Sequence, residues 1–303
     1  MPVLCNIFDV QNVIADVPKN SQVKKTFFSL CQAVLLLFLS GCSSELYIAG
    51  SYLNKFEHGD DDATECIYVS LPKEVIHTNS SLNDIPGFML MSENEQDSVI
   101  ASKTAVLDKV DDSAFLSQFS SYFMYVLSRP NIPVVLVDDI SKLPVADDKH
   151  LVVDVAQIEL EESVEPQRSD FSTRRGYYYF YDYELRHLTV NLWLRFDNSD
   201  TAEVFFLSDG VDENFHGTVL SLDDGTAKMK VDHEKINVNH AYYLARQLGY
   251  RCGTLYVERM LTDHVRRVKG SNNYYFIYNP AGNYFEDVLF YEEGIKDSFV
   301  PVK

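Results

Sequence analysis

The sequence predicts an α+β (mixed α/β) domain, with helices packed on a largely antiparallel sheet. Three observations carry that expectation. Runs of period-two alternation occur along the chain, Leu188, Val190, Leu192 and Leu194 being the clearest. Between them lie stretches of helical period, led by Phe115, Leu116, Phe119, Tyr122, Phe123, Val126 and Leu127. The elements do not alternate strictly as strand and helix, which excludes a simple parallel βαβ series.

The elements follow in order. Cys66 to Leu71 reads as a short strand ended by Pro72. Pro72 to Ile100 is mixed, with turn signals at Ser80, Asn83 and Pro86-Gly87. Asp111-Asp112-Ser113 is an N-cap cluster for the helix through Phe115–Leu127, its acids suited to the positive end of the helix dipole. Pro130 and Pro133 close that helix, and Val134–Val137 is apolar enough for a buried strand. Leu151–Leu160 is a strand of mixed facing, and the acidic stretch Glu161–Asp170 is loop-like. The aromatic run Tyr177–Tyr183 leads into the alternating strand ending at Phe196, and Val204–Leu207 forms another. Thr218–Leu222 and Lys228–Val231 flank Asp223-Asp224-Gly225, a hairpin signal because glycine accepts positive φ. Two helices are then expected: His240–Leu248, capped by Asn239 and stopped by Gly249, and Leu255–Val268, stopped near Gly270. Tyr274–Tyr278 and Tyr284–Leu289 flank Asn279-Pro280-Ala281-Gly282-Asn283 as a last hairpin. The folded domain is expected over 64–303, with a sub-boundary near 161–173 or none.

Composition narrows the function classes. The chain has 303 residues, is 46% hydrophobic and 23% charged, and carries a net charge of −19. The first two values suit a globular core. The acidic excess argues against nucleic acid and against a polybasic membrane face, both of which need clustered Lys/Arg.

The N-terminus reads as an address. Lys24 and Lys25 precede the apolar run Phe27–Leu39, which is too short to span a bilayer and suits the h-region of a secretory signal. Leu39-Ser40-Gly41-Cys42 follows it directly. This sequence resembles the lipobox of bacterial lipoproteins. The resemblance implies that Cys42 receives a diacylglycerol and becomes the first mature residue, anchoring the chain to a lipid bilayer. Residues 1–41 are then the signal segment, and residues 1–22 are extra if Val23 is the true initiator. Removing 1–41 takes out Lys19, Lys24 and Lys25 against Asp9 and Asp16, leaving the mature chain one unit more negative. Residues 42–63 form a tether that includes His58-Gly59-Asp60-Asp61-Asp62. Ser43 after the lipidation site favours the outer over the inner membrane of the cell envelope. Cys66 and Cys252 either pair or remain two buried thiols.

A second resemblance rests on the helix Phe115–Leu127, the strand Val134–Val137, the loop ending Asp147-Asp148-Lys149 and the strand Leu151–Leu160. This succession is similar to the auxiliary lipoproteins of ABC-type transport systems and their LptE-like and CsgG-like relatives. More broadly the chain looks like a lipoprotein of the Bacteroidota type. The resemblance implies a non-catalytic transport or assembly accessory that works by binding an envelope protein, and it carries over no functional residue.

Catalytic signatures are absent from the sequence: there is no Gly-x-Ser-x-Gly elbow, phosphate-binding glycine loop, His-Glu-x-x-His helix or Cys-x-x-Cys pair. The chain is read as more a binder than an enzyme, with no catalytic residue, metal ligand or cofactor assigned. The acids at His58–Asp62 and at Asp197, Asp200, Asp209 and Asp212 are a solvated spacer and turn acids before they are calcium ligands. His233 and His240 are the histidines that could converge. Arg266, Arg267 and Lys269 suit the negative end of a helix.

The most distinctive stretch is Tyr177–Tyr183. Tyrosine joins a flat apolar ring to a hydroxyl, which suits a protein hot spot or the face of a sugar. Tyr177, Tyr179 and Tyr181 would share one strand face, and Trp193 projects on the less buried face beside Asn191 and Arg195. These four are the candidate contact residues. Three functions follow: an envelope accessory that binds protein, a surface glycan-binding lipoprotein, or a hydrolase with an unrecognised acid pair.

Overall fold

The computed structural model describes residues 66–138, 142, 150–172, 176, 178–196, 204–221, 227–269, 276–287 and 300–302. Cys42, read from the sequence as a lipidation site, the stretch 42–63 read as a tether, Tyr177, Asp197, Asp200 and the turn at 222–226 lie outside them. The fold is α+β. One mixed sheet holds β1 (Cys66–Ser70), β2 (Ile76–Asn79), β3 (Val134–Val137), β4 (His150–Ser172), β5 (Tyr178–Arg195), β6 (Val204–Asp212) and β11 (Val300–Val302). Its order is β11-β6-β5-β4-β1-β3, with β2 paired to β4 farther along. β1 runs parallel to both β3 and β4, whereas β4, β5, β6 and β11 pair antiparallel. Two hairpins, β7 (Asn214–Ser221) with β8 (Ala227–Glu234) and β9 (Phe276–Asn279) with β10 (Tyr284–Asp287), complete the strands.

Three helices are described: α1 (Glu93–Lys103), α2 (Asp112–Leu127) and α3 (Val238–Lys269). α2 starts where its capping residues dictate, Asp111 Oδ1 accepting the Ala114 N–H at 2.7 Å. Its stripe of Phe115, Phe119, Phe123, Val126 and Leu127 is fully buried, in one core with Leu188, Val190, Leu192 and Leu194 of β5. One face of the sheet is thus covered by helices. The opposite face carries half-buried polar groups such as Asn191 and Thr189, the arrangement expected of an antiparallel half-sheet.

Three sequence expectations are corrected. The two helices predicted around Gly249 are one, the 32-residue α3. Glycine stops a helix in isolation, but Gly249 and Gly253 here face α2 at close range. A Cβ on Gly249 would lie 2.3 Å from the Phe119 carbonyl oxygen, and one on Gly253 2.8 Å from Val126 Cβ. The helix start also moves, to Asn237, whose Oδ1 accepts the Asn239 N–H at 2.9 Å. Second, β3 is an edge strand rather than a buried one, with Val135 and Leu136 43% and 49% exposed. Third, the acidic stretch Glu161–Asp170 is not a loop. β4 continues through it to Ser172, paired with β5 residue by residue.

Cys66 and Cys252 are both buried free thiols. Burial pushes the Cys252 thiol far above its ordinary pKa, and burial is also the main cause raising Cys66. Since the thiolate is the nucleophile, iodoacetamide should leave the Cys252 peptide unmodified in the native protein and label it fully in denaturant. Labelling of Cys252 under native conditions, read by peptide mass spectrometry, would contradict this core.

Candidate functional site: an aromatic β-arm

β4 and β5 outrun the rest of the sheet. β2 pairs with β4 only as far as Glu162, and β6 pairs with β5 only from His187 onward. Beyond those limits, residues 163–172 and 178–186 continue as a two-stranded ribbon. At about 3.3 Å per residue its ten-residue limb extends some 30 Å. The ribbon buries neither face, so its sequence lacks the alternation that marks a half-buried strand.

Direction matters here. Cys66 at the start of β1 sits opposite His150 at the start of β4, and both strands run the same way. The chain therefore enters the sheet at the end opposite the ribbon tip.

Near the tip Tyr178 is 73% exposed and Phe180 65%, with Tyr179 and Tyr181 partly exposed. Their two faces behave differently. Tyr181 and Tyr183 stack on Phe215 of β7 at ring-centre distances of 5.5 and 3.9 Å, and His233 meets Phe215 edge-on at 5.9 Å. Aromatic stacking thus braces one face of the ribbon against the β7–β8 hairpin. On the other face Arg168 holds Asp182 through Nε at 2.6 Å and Nη2 at 3.1 Å, and its guanidinium lies 5.6 Å from the Phe180 ring centre.

The root of the ribbon is held by buried charge. Glu162, fully buried, accepts the backbone N–H groups of Ala105, Val106 and Leu107 at 2.8, 3.1 and 3.0 Å. Arg186, two residue pairs farther out, ion-pairs with the same carboxylate and donates to the Lys103 carbonyl at 2.8 Å. Across β5, Glu213 accepts the Arg186 N–H at 3.2 Å and the Ile236 N–H at 3.2 Å, with His233 Nε2 at 3.0 Å. These partners link the ribbon to the α1–α2 connection on one side and to the β7–β8 hairpin on the other. A rigid root is what lets a two-stranded ribbon, marginal by itself, stand off the body.

The hydrogen bonds from Arg168 hold the Asp182 carboxyl below the usual carboxylate range. The pair is then intact at neutral pH and is lost only as pH falls through that lowered value. An NMR titration should find Asp182 protonating below a model-peptide aspartate, and Arg168→Gln should bring it back up. An unshifted Asp182 would mean that the pair does not form.

The four candidate contact residues do not form one cluster. Tyr179 and Tyr181 lie on the ribbon, and Tyr177 lies outside the described residues. Trp193 is half-buried on the open face of the sheet, against Phe206 at 5.2 Å. Twelve residues along β5 from Tyr181 correspond to about 40 Å. His233 and His240 engage different partners, Glu213 and the Asn237 N–H. Asp212 pairs with His187 and Asp209 lies near Arg251. Among the described residues no group of three or more His, Cys, Asp or Glu is placed to hold a metal ion. Sequence reading missed Phe215 and the buried root. Its one signal was the carboxylate pair Glu161-Glu162 next to a strand of apolar residues.

No protein-family model and no curated protein matches the chain. Among solved structures, a Helicobacter pylori protein described as a neuraminyllactose-binding hemagglutinin homologue is similar over 70% of this chain and 92% of its own. The identity is 13% and the TM-score 0.27, a level that assigns neither fold nor ligand.

Proposed function

We propose that this chain is a lipid-anchored cell-envelope protein that works without catalysis, contacting another envelope protein through its aromatic arm. The observation that carries this reading is the ribbon itself. It is rooted in buried charge and ends in exposed Tyr178 and Phe180. Large aromatic rings held rigidly in solvent are the residue type and setting of a protein hot spot.

The lipobox-like Leu39-Ser40-Gly41-Cys42 supplies the anchor in this reading. With Cys42 acylated, residues 43–65 reach at most about 80 Å from the bilayer. They join β1 at the end of the sheet remote from the tip, which lets the arm reach away from the anchoring leaflet. Tethering concentrates the tip in a layer near that membrane and raises its encounter rate with partners there. The signal-like segment and Ser43 support an envelope location, with the outer membrane preferred.

In-cell crosslinking followed by mass spectrometry tests the reading. A transporter subunit or outer-membrane barrel should be recovered with the native chain. The combined change Tyr178→Ser and Phe180→Ser, and separately Cys42→Ala, should abolish that recovery. Recovery unaffected by the tip variant would sink the arm as the contact surface.

Glycan is the second ligand class, favoured by one observation. Tyr178 and Phe180 sit two residues apart on the same strand face, a spacing that can offer two rings to one saccharide. Glycan-array binding lost on Tyr178→Ser would move the reading to this class.

A further inference from the structure

The hydrogen-bond parity of the arm leaves one of its edges open. Val164 donates its N–H outward to Ser81 Oγ at 2.9 Å. Opposite it, Arg186 points its N–H and carbonyl outward, to Glu213 Oε2 and the Glu213 N–H. In an antiparallel ladder such pairs alternate with pairs that bond each other. The outward residues are therefore Pro166, Arg168, Asp170 and Ser172 on β4, and Tyr178, Phe180, Asp182 and Glu184 on β5.

The two edges differ in chemistry. Pro166 removes a donor from the β4 edge, a common way of blunting an exposed strand. The β5 edge keeps every outward N–H from Tyr178 to Glu184. β6 pairing ends at His187, and β7 turns away to pair with β8.

We infer that two copies of this chain join through the β5 edges of their arms, antiparallel about a two-fold axis at Tyr181. This rests on the arm being a contact surface, and it names a second copy as one occupant of that surface. Register and charge choose the axis. Centred on Tyr181, Phe180 meets Asp182 of the other copy and Tyr178 meets Glu184, giving about eight backbone hydrogen bonds. Centred on Asp182 or on Phe180 the bonds fall to about six, because the outer pairs run into Arg186 or leave the strand. Centring on Asp182 also sets two carboxylates directly opposite, which is repulsive. The Tyr181 register has no like charges facing. Tyr181 and the Tyr179–Tyr183 pairs fall on the face where Phe215 already stacks on Tyr181 and Tyr183, so backbone bonds rather than new ring pairs hold this register.

Disulfide trapping in the full chain, in native membranes, tests this. A residue on the axis sits in a narrow non-bonded pair with its own copy, where cysteines come within bonding reach. Tyr181→Cys should therefore give a species of twice the monomer mass on a non-reducing gel. Tyr243→Cys, exposed on α3, should not. Adding Phe180→Pro deletes one outward N–H per copy and should reduce the trapped dimer at least tenfold. Phe180→Val, which keeps the N–H, should preserve it. Protection of Cys252 from alkylation checks that each variant is folded.

No trapped Tyr181→Cys dimer overturns the inference, as does a dimer that survives Phe180→Pro or equal trapping at Tyr243→Cys. If trapping fails while the tip variants still lose their envelope partner, the self-pairing falls and the contact arm stands.

Discussion

Glu162→Ala should destabilise the protein by about 3–5 kcal/mol, the range found when one partner of a buried ion pair is removed. The substitution leaves the Arg186 guanidinium without its buried counter-charge. It also strips the acceptor from the N–H groups of Ala105, Val106 and Leu107. A loss of that size is a large share of the roughly 5–15 kcal/mol that holds a domain folded. Glu162→Gln keeps one carbonyl oxygen for the N–H groups but loses the charge, and should cost less. Combining Glu162→Leu with Arg186→Met removes both charges, and two effects in one network are not additive. The double change should therefore recover part of the loss, but not all of it, because three N–H groups still lack an acceptor. Chemical denaturation with far-UV circular dichroism measures each step. A Glu162→Ala protein within 1 kcal/mol of wild type would mean that the arm is not rooted through this carboxylate.

Gly249→Leu should be the most damaging single change on α3. An alanine Cβ at this position already falls 2.3 Å from the Phe119 carbonyl oxygen, well inside van der Waals contact. The obstacle is α2 backbone, which cannot swing aside like a flexible side chain. The helices must separate, and the packing of Phe119, Phe123 and Val126 loosens with them. Gly249→Ala gains about 1 kcal/mol of helix propensity yet should still lose about 2 kcal/mol net, as overpacked cores do. Gly249→Leu should lose more than 3 kcal/mol, past the usual range for a point substitution. Tyr243→Ala, on an exposed position of the same helix, should stay within about 0.5 kcal/mol. A neutral Gly249→Ala would mean that α2 and α3 do not pack this closely.

The same two sites show what the sequence made legible. α2 was readable because cap, stripe and stop agree: Asp111 caps it, the phenylalanines fall on one face, and Pro130 follows. The buried half of β5 was readable from Leu188 to Leu194 for the same reason. α3 was misread at Gly249, where a tertiary demand for close approach overrides the local rule that glycine ends a helix. Nothing within a few residues of Gly249 announces that α2 will lie against it.

The arm was half legible. Tyr177–Tyr183 stood out by composition, and β5 was expected to run on from it. Its partner strand was lost because Glu161–Asp170 is polar, acidic and broken by Pro166, all features of a loop. Pro166 is tolerated because its missing N–H points away from β5. Trp193 was grouped with the tyrosines by residue type, but strand geometry carries it far down β5 to the body of the sheet. The root escaped because Glu162, Arg186 and Glu213 come from distant segments and meet only in the fold.

On the proposed reading, the tip of the arm is where this protein meets its partners. A photo-reactive phenylalanine analogue at Tyr178, compared with the same analogue at Tyr243, tests it most directly in living cells. Discrete crosslinked species are expected from position 178, lost in a Cys42→Ala background, and none from position 243. Equal crosslinking from both positions, or none from position 178, would contradict it.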